Sequence, residues 1–158
     1  MSTIYEVAKY FITKAHDKGV FINNSKLQKL CYYAQAWSLA LNDSKLFENR
    51  FQAWVHGPMN PELYHKYKTL GWNLIPNTTF DESVFSNDEL DLLEEVWDVY
   101  WRFDTVYLKN LSQSEEPWRL ARGDIHDYEH SDEIIEEKHM KSYYKSLLDK
   151  ETRKKEKK

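Results

Sequence analysis

The residues of this chain that could carry chemistry are few, and two histidines come first. His126 and His130 stand four residues apart among several carboxylates, and two imidazoles one helical turn apart can bind a transition metal such as zinc. The nearby Gly123 and the aspartates of the segment are turn-forming residues, which predict a surface loop. We therefore predict no bound metal. A small metal-dependent enzyme that uses this pair is kept as an alternative.

The single cysteine is the other candidate for reactivity. Cys31 could act as a nucleophile with a distant histidine, but it falls on the apolar stripe of a predicted helix, where a small buried hydrophobe is expected. The sequence contains no glycine-rich phosphate loop, no serine nucleophile elbow and no CxxC pair. We predict that the protein is not an enzyme and uses no cofactor. Because a lone cysteine cannot form an internal disulfide, the sequence favours the reducing cytoplasm.

The length and composition indicate one folded domain. The chain has 158 residues, of which 24 are aromatic, with only 4 Gly and 4 Pro. A chain of this length buries roughly two-thirds of its unfolded surface, and so few turn-forming residues argue against a β-sandwich or barrel. No run reaches the roughly 18 apolar residues of a membrane-spanning helix, and residues 1–18 have a charged helical pattern unlike a signal peptide.

Charge is distributed unevenly along the chain. Residues 1–72 carry 9 Lys/Arg and 5 Asp/Glu, residues 73–137 carry 4 and 18, and residues 138–158 carry 9 and 3. An acidic surface repels phosphate and attracts a cationic protein partner, although a solvated helix face is the commoner explanation of such a run. A basic aromatic face for nucleic acid would comprise Lys26, Lys29, Tyr32, Tyr33 and Lys45. We interpret these tyrosines as core residues and predict no direct nucleic-acid binding.

Two helices are predicted in the first 42 residues. Thr3 and Glu6 form a capping box for a helix that ends at Gly19. Asn24 or Ser25 then caps a second helix, which is apolar on nearly all sides and is therefore expected at the centre of a bundle. The fold class predicted is a mainly α single domain, a helical bundle around this central helix.

The middle of the chain combines a short extended element with further helices. Residues 51–56 alternate as in a strand, while Phe47, Phe51 and Trp54 also fit helical spacing, and we favour a short extended segment after a helical turn. Pro61 is placed to begin the next helix. Ser86 and Glu89 form a second capping box. The helix after it is expected to break near Asp104, with another helix ending before Pro117. A last helix is predicted to start at Ser131 or Asp132, and residues 149–158 are predicted as a disordered charged tail.

One face of the helix after Ser86 is acidic. Positions 88, 91, 95 and 98 follow three- and four-residue steps, so their side chains share one side of the helix. We predict that this side is exposed and contacts a protein partner. The candidate partner-binding residues are Asp88, Asp91, Glu95 and Asp98.

Three segments together resemble a known family. They are KLQKLCYYAQAW (residues 26–37), AWVHGPM followed by PELY (residues 53–59 and 61–64), and EEPW (residues 115–118). In this order they resemble the SocA-like antitoxin family, also called the Panacea domain, over about residues 4–148. The motif residues, which we interpret as mostly structural, are Lys26, Leu27, Gln28, Lys29, Leu30, Tyr33, Trp37, Ala53, Trp54, Gly57, Pro58, Pro61, Tyr64, Pro117 and Trp118.

This resemblance implies a function for the protein and the bounds of its domain. It implies an antitoxin domain over residues 1–148, encoded beside a toxin gene and often found in prophages or other mobile elements. Such a protein neutralises its cognate toxin by direct binding, and the alternative is an adaptor that delivers the toxin to a host protease. Gln113 stands where the family's histidine is expected. Because an amide does not titrate near neutral pH, this change favours a structural or binding role.

Overall fold

The computed structural model describes the backbone of residues 1–156 and the side chains of residues 1–151. Within this range the chain is mainly α-helical, as predicted, with one small sheet. The helices are α1 (Ile4–Lys18), α2 (Asn24–Asn42), α3 (Pro61–Tyr67), α4 (Asn87–Tyr100), α5 (Thr105–Ser114), α6 (Glu116–Arg122) and α7 (Glu137–Glu156), and the strands are β1 (Gln52–Trp54) and β2 (Gly57–Met59). Short 3₁₀ turns cover Lys68–Leu70 and Glu82–Val84.

Local capping signals are confirmed at the starts of two helices. Thr3 and Glu6 form a reciprocal capping box on α1, and Ser86 and Glu89 do the same on α4. In each case two backbone N–H groups that have no partner inside the helix are satisfied by side chains. The cap of α2 lies one residue earlier than predicted, because Asn23 accepts a hydrogen bond from the Lys26 N–H at 2.9 Å.

Helix α2 lies at the centre of the bundle, as its apolar pattern predicted. It packs against α1, α3, α4, α5, α7 and strand β2. Its residues from Asn24 to Ala36 are all buried. The basic aromatic face considered for nucleic acid is therefore mostly internal, because Lys26, Lys29, Tyr32 and Tyr33 all lie in this helix and are buried.

The predicted extended element is one strand of an antiparallel hairpin. Gln52 pairs with Met59 and Trp54 with Gly57. The outer edge of β1 is covered by residues 133–135: the Ala53 N–H donates to Glu133 O, and the Ile135 N–H donates to Phe51 O, both at 2.8 Å. Strand edges need such backbone partners.

This pairing corrects the predicted start of the last helix. Ser131 and Asp132 do not cap it, because the following residues are extended along β1 and α7 begins at Glu137. Helix α6 was also missed. The helix predicted to end before Pro117 is confirmed as α5, and Pro117 itself lies in the first turn of α6, where a missing N–H is tolerated.

Helix α7 enters the segment predicted as a disordered tail, residues 149–158. Glu, Lys and Arg are strong helix formers, and α7 extends as far as Glu156. The last two residues of that segment lie outside the described residues. No helix in the described part of the chain combines the length and apolarity needed to cross a membrane.

Candidate partner-binding face

The acidic side of α4 is exposed along its whole length. Asp88, Asp91, Glu95 and Asp98 all point to solvent, while the opposite side of the helix is packed in the core through Leu93. Within residues 1–151, none of the four acidic side chains forms an ion pair. We call these four residues the acidic row. Their exposure agrees with the sequence pattern, and their role in binding a partner stays a prediction.

An apolar groove borders the acidic row. It has a volume of about 250 Å³ and lies between α4, the end of α2 and α7. We call it the α4 groove, and its lining residues are Trp37, Leu41, Leu92, Glu95, Val96, Val99, Tyr100 and Leu148. Asp88 and Asp91 surround an adjoining hollow that shares Leu41, Leu92 and Glu95 with the groove. Three members of the acidic row, Asp88, Asp91 and Glu95, therefore adjoin the groove.

The groove was missed in the sequence, although one signal for it was present. Val99 is 55% exposed and lies one turn after Glu95, on the solvent side of an otherwise charged helix. Leu41, at the end of α2, is 43% exposed. Neither residue reveals by itself that α2, α4 and α7 meet at this point.

A buried polar network lies beneath the groove. The Glu115 carboxylate accepts hydrogen bonds from the Tyr33 hydroxyl at 2.7 Å and the Tyr144 hydroxyl at 2.8 Å. Burial raises the pKa of Glu115, and these two hydrogen bonds oppose that shift. Tyr100 stacks on Tyr33 with ring centroids 4.2 Å apart, and its hydroxyl accepts from Trp37 Nε1 at 2.9 Å. The floor of the groove is thus held by contacts among α2, α4, α7 and the junction between α5 and α6.

The glutamines of the family-like motif are structural. Gln28 exchanges hydrogen bonds with the backbone of Asn60, accepting at 2.7 Å and donating at 3.2 Å. Gln35 accepts from the Leu46 N–H at 2.8 Å and donates to Phe47 O at 2.7 Å. Buried amides need such partners, and these two connect α2 to the segments on either side of the β1–β2 hairpin.

The hairpin is fixed by side chains from α5 and α6. Trp118 is 1% exposed and donates from Nε1 to Trp54 O at 2.9 Å. Arg122 donates to Ala53 O at 2.8 Å. Gln113, where the family's histidine is expected, donates from its amide to Val55 O. This contact gives Gln113 a positioning role in the fold, in agreement with the structural role inferred from its chemistry.

Lys29 is the least usual residue of the motif helix. Its side chain is fully buried, and Nζ donates to Ser25 Oγ at 3.3 Å and to Met59 Sδ at 3.4 Å. Neither acceptor carries a charge. Burial, with a smaller contribution from the Lys109 charge, lowers the pKa of Lys29 to about 7. The amine therefore loses much of its charge near neutral pH in the folded protein.

We expect Lys29→Met to stabilise the protein at pH 7 by about 1–3 kcal/mol, because it replaces a buried amine with an apolar side chain of similar length. The pKa of Lys29 is lower in the folded than in the unfolded chain. Between pH 7 and about 10.4 only the unfolded chain retains the proton, so wild-type stability rises with pH by up to about 1.4 kcal/mol per unit. The variant should lack this rise.

Urea unfolding of both proteins at pH 7, 8 and 9 measures these differences. The control is Lys68→Met, which removes the charge of an exposed lysine and should leave both the stability and its pH slope unchanged. A Lys29→Met variant that is less stable than wild type at pH 7, or that retains the wild-type slope, would contradict the inferred state of the amine.

The other chemical candidates are not assembled into a site. His126 and His130 are exposed in the loop between α6 and α7, and the described residues contain no group of three or more potential metal ligands. Cys31 is fully buried, and burial raises the pKa of its thiol. A thiol in this state is a poor nucleophile.

Comparison with known proteins identifies relatives. The family described as "Antitoxin SocA-like, Panacea domain" matches residues 27–119, which run from α2 into α6. Antitoxin SocA of Caulobacter vibrioides (strain NA1000 / CB15N) is 31% identical over 80 residues, covering 51% of this chain and 43% of that relative. The aligned part is thus less than half of the relative's length. No solved structure matches the chain.

Proposed function

The chain belongs to the SocA-like antitoxin family, or Panacea domain, and on this premise we propose that it neutralises a cognate protein toxin by direct binding. The resemblance seen in the sequence motifs is confirmed by the family match. Membership in an antitoxin family implies a toxin as the partner and favours a role without catalysis. We propose that the toxin is encoded nearby, on a prophage or another mobile element.

The observation that carries the proposal is the acidic row. Its four carboxylates are exposed and free of ion pairs within the described residues, and three of them adjoin an apolar groove. Toxins that act on nucleotides, RNA or translation tend to have basic active-site surfaces. An acidic face can attract such a surface from a distance and then cover it.

The remaining features are compatible with this role. We place the protein in the cytoplasm, because its one cysteine is free and buried. We place the antitoxin domain over residues 1–148, because α1 and α7 pack on the same central helix as the matched segment. No feature of the described residues favours the protease adaptor or the metal-dependent enzyme over direct binding.

The charge-reversed variant Asp91→Lys, Glu95→Lys, Asp98→Lys tests the acidic row. We expect its association rate with the toxin to fall by about tenfold in low salt, because charges on the rim of an interface act mainly on the rate of encounter. The difference from wild type should shrink in about 0.5 M salt, where charges are screened beyond a few ångströms. Stopped-flow fluorescence with the purified toxin measures both rates.

A matched variant separates local charge from net charge. Asp124→Lys, Asp127→Lys, Glu129→Lys makes the same change in net charge in the exposed loop after α6, and its association rate should stay near that of wild type. Both variants should keep the wild-type circular dichroism spectrum. If the two variants associate at equal rates, the acidic row is only a solvated surface.

A further inference from the structure

The α4 groove has the dimensions of a site for side chains and not for a small ligand. Its volume of about 250 Å³ is below the range of about 300–1,000 Å³ that is usual for small-molecule pockets. Its walls come from α2, α4 and α7, and Leu41 and Val99 are exposed at its mouth. Apolar side chains clustered at the surface in this way mark interaction sites.

The polar atoms at the floor of the groove are already paired. Trp37 Nε1 donates to the Tyr100 hydroxyl at 2.9 Å, so both aromatic residues satisfy their polar groups with each other. Their rings therefore offer only apolar surface, on a rigid base. An occupant gains from burying apolar atoms against these rings, and the one charged residue among the lining residues is Glu95 of the acidic row.

The charges around the groove indicate the rest of the partner's chemistry. The acidic row extends over eleven residues of α4, from Asp88 to Asp98, a length of about 15 Å, with one member every three or four residues. On the α7 side, Lys141 is paired with Asp43 and does not compensate the row. The matching arrangement is a second helix with Lys or Arg at the same spacing beside an apolar stripe.

We infer that the α4 groove receives the apolar stripe of a cationic amphipathic helix of the partner, whose Lys and Arg residues lie along the acidic row. This inference rests on the proposed function and specifies its binding mode. It assigns affinity to the groove and encounter rate to the row, because central apolar anchors carry most of the binding free energy of an interface.

The chemistry can be tested without the toxin, using three synthetic peptides of about 14 residues, or about 21 Å as a helix. The first has a Leu stripe flanked by Lys, the second has Glu in place of Lys, and the third is a scrambled version of the first. We expect the first peptide alone to produce saturable shifts in the methyl NMR signals of Leu41, Leu92 and Val99. Absence of these shifts overturns the inference.

The double variant Leu41→Ser, Val99→Ser should bind the first peptide about tenfold more weakly, and should bind the purified toxin more weakly by a similar factor. The control is Val106→Ser, which removes an exposed valine from α5 and should change neither affinity. Both altered residues of the double variant are exposed, so the fold should be retained, which the methyl spectrum reports directly.

The possible outcomes distinguish a failure of the groove inference from a failure of the proposed function. If wild type and the double variant bind the toxin equally well, the groove inference fails and the proposed function stands. If wild type does not bind the toxin, the proposed function fails, and the peptide shifts alone decide whether the groove binds a cationic helix. If sedimentation shows a dimer that the double variant loses, a second copy occupies the groove and the inference is wrong.

Discussion

Gly57→Ala is expected to destabilise the protein by about 3 kcal/mol, the largest effect of an alanine substitution at any of its four glycines. Gly57 has φ +99°, a backbone conformation that side chains other than glycine adopt only under strain of about 1–3 kcal/mol. An added Cβ would also lie 2.8 Å from Lys29 Cε and 3.1 Å from Ser112 Oγ. Overpacking of this kind typically adds about 1–3 kcal/mol.

The close contact matters because Lys29 cannot move away easily. Its side chain is fully buried between α2 and the hairpin, so a displaced amine would have to enter space occupied by other core atoms. The destabilisation caused by backbone strain and the destabilisation caused by steric overlap should therefore add. Chemical denaturation measures the sum as a shift in midpoint, and the α-helical circular dichroism signal should remain before the transition.

Gly19→Ala is the matched control for backbone strain alone. Gly19 also has a positive φ, of +70°, at the end of α1, but an added Cβ would meet no atom within 4 Å. We expect a loss of only about 1 kcal/mol, the usual difference for a left-handed helix cap. If Gly57→Ala destabilises no more than Gly19→Ala, the tight packing of the hairpin on Lys29 is not as described.

Local sequence patterns were sufficient for much of the fold. Each capping box, at Thr3 and at Ser86, involves two residues that are three positions apart. Pro61 favours a helix start because its own ring fixes its backbone angle. The apolar character of α2 on all sides predicted its central place. These features depend on neighbours in sequence, so they can be recognised without knowledge of the tertiary structure.

The errors in the fold arise where distant segments meet. Ser131 has the chemistry of a helix cap, but residues 133–135 form backbone hydrogen bonds with Phe51 and Ala53, about 80 positions earlier in the chain. Tertiary pairing of this kind overrides local helix propensity. Helix α6, which contains Pro117, was also not predictable from its local sequence, since a proline both ends helices and begins them.

Of the two parts of the candidate site, only the acidic row was predictable from the sequence. The acidic row follows from helical spacing alone, whereas the α4 groove requires α2 and α7 to be placed beside α4. Lys29 was considered as part of a basic face, because lysine is almost never fully buried. Lys29 is buried because α2 lies at the centre of the bundle. The residue type alone does not indicate this position.

Direct neutralisation is the claim that a single measurement can decide. An interface of standard size with Kd near 1 nM leaves only about 3% of a toxin free when both proteins are at about 1 µM. Nearly complete loss of toxin activity is therefore expected from the two proteins alone. The adaptor alternative requires a protease as a third component.

The measurement is a titration of the purified toxin, encoded by the neighbouring gene, with this protein in a buffer that contains no protease, following toxin activity and heat of binding together. We predict that activity falls to a few per cent at a stoichiometric end point that coincides with the calorimetric one. Full toxin activity at a large excess of this protein, combined with rescue only in cells that retain their proteases, would contradict neutralisation by direct binding.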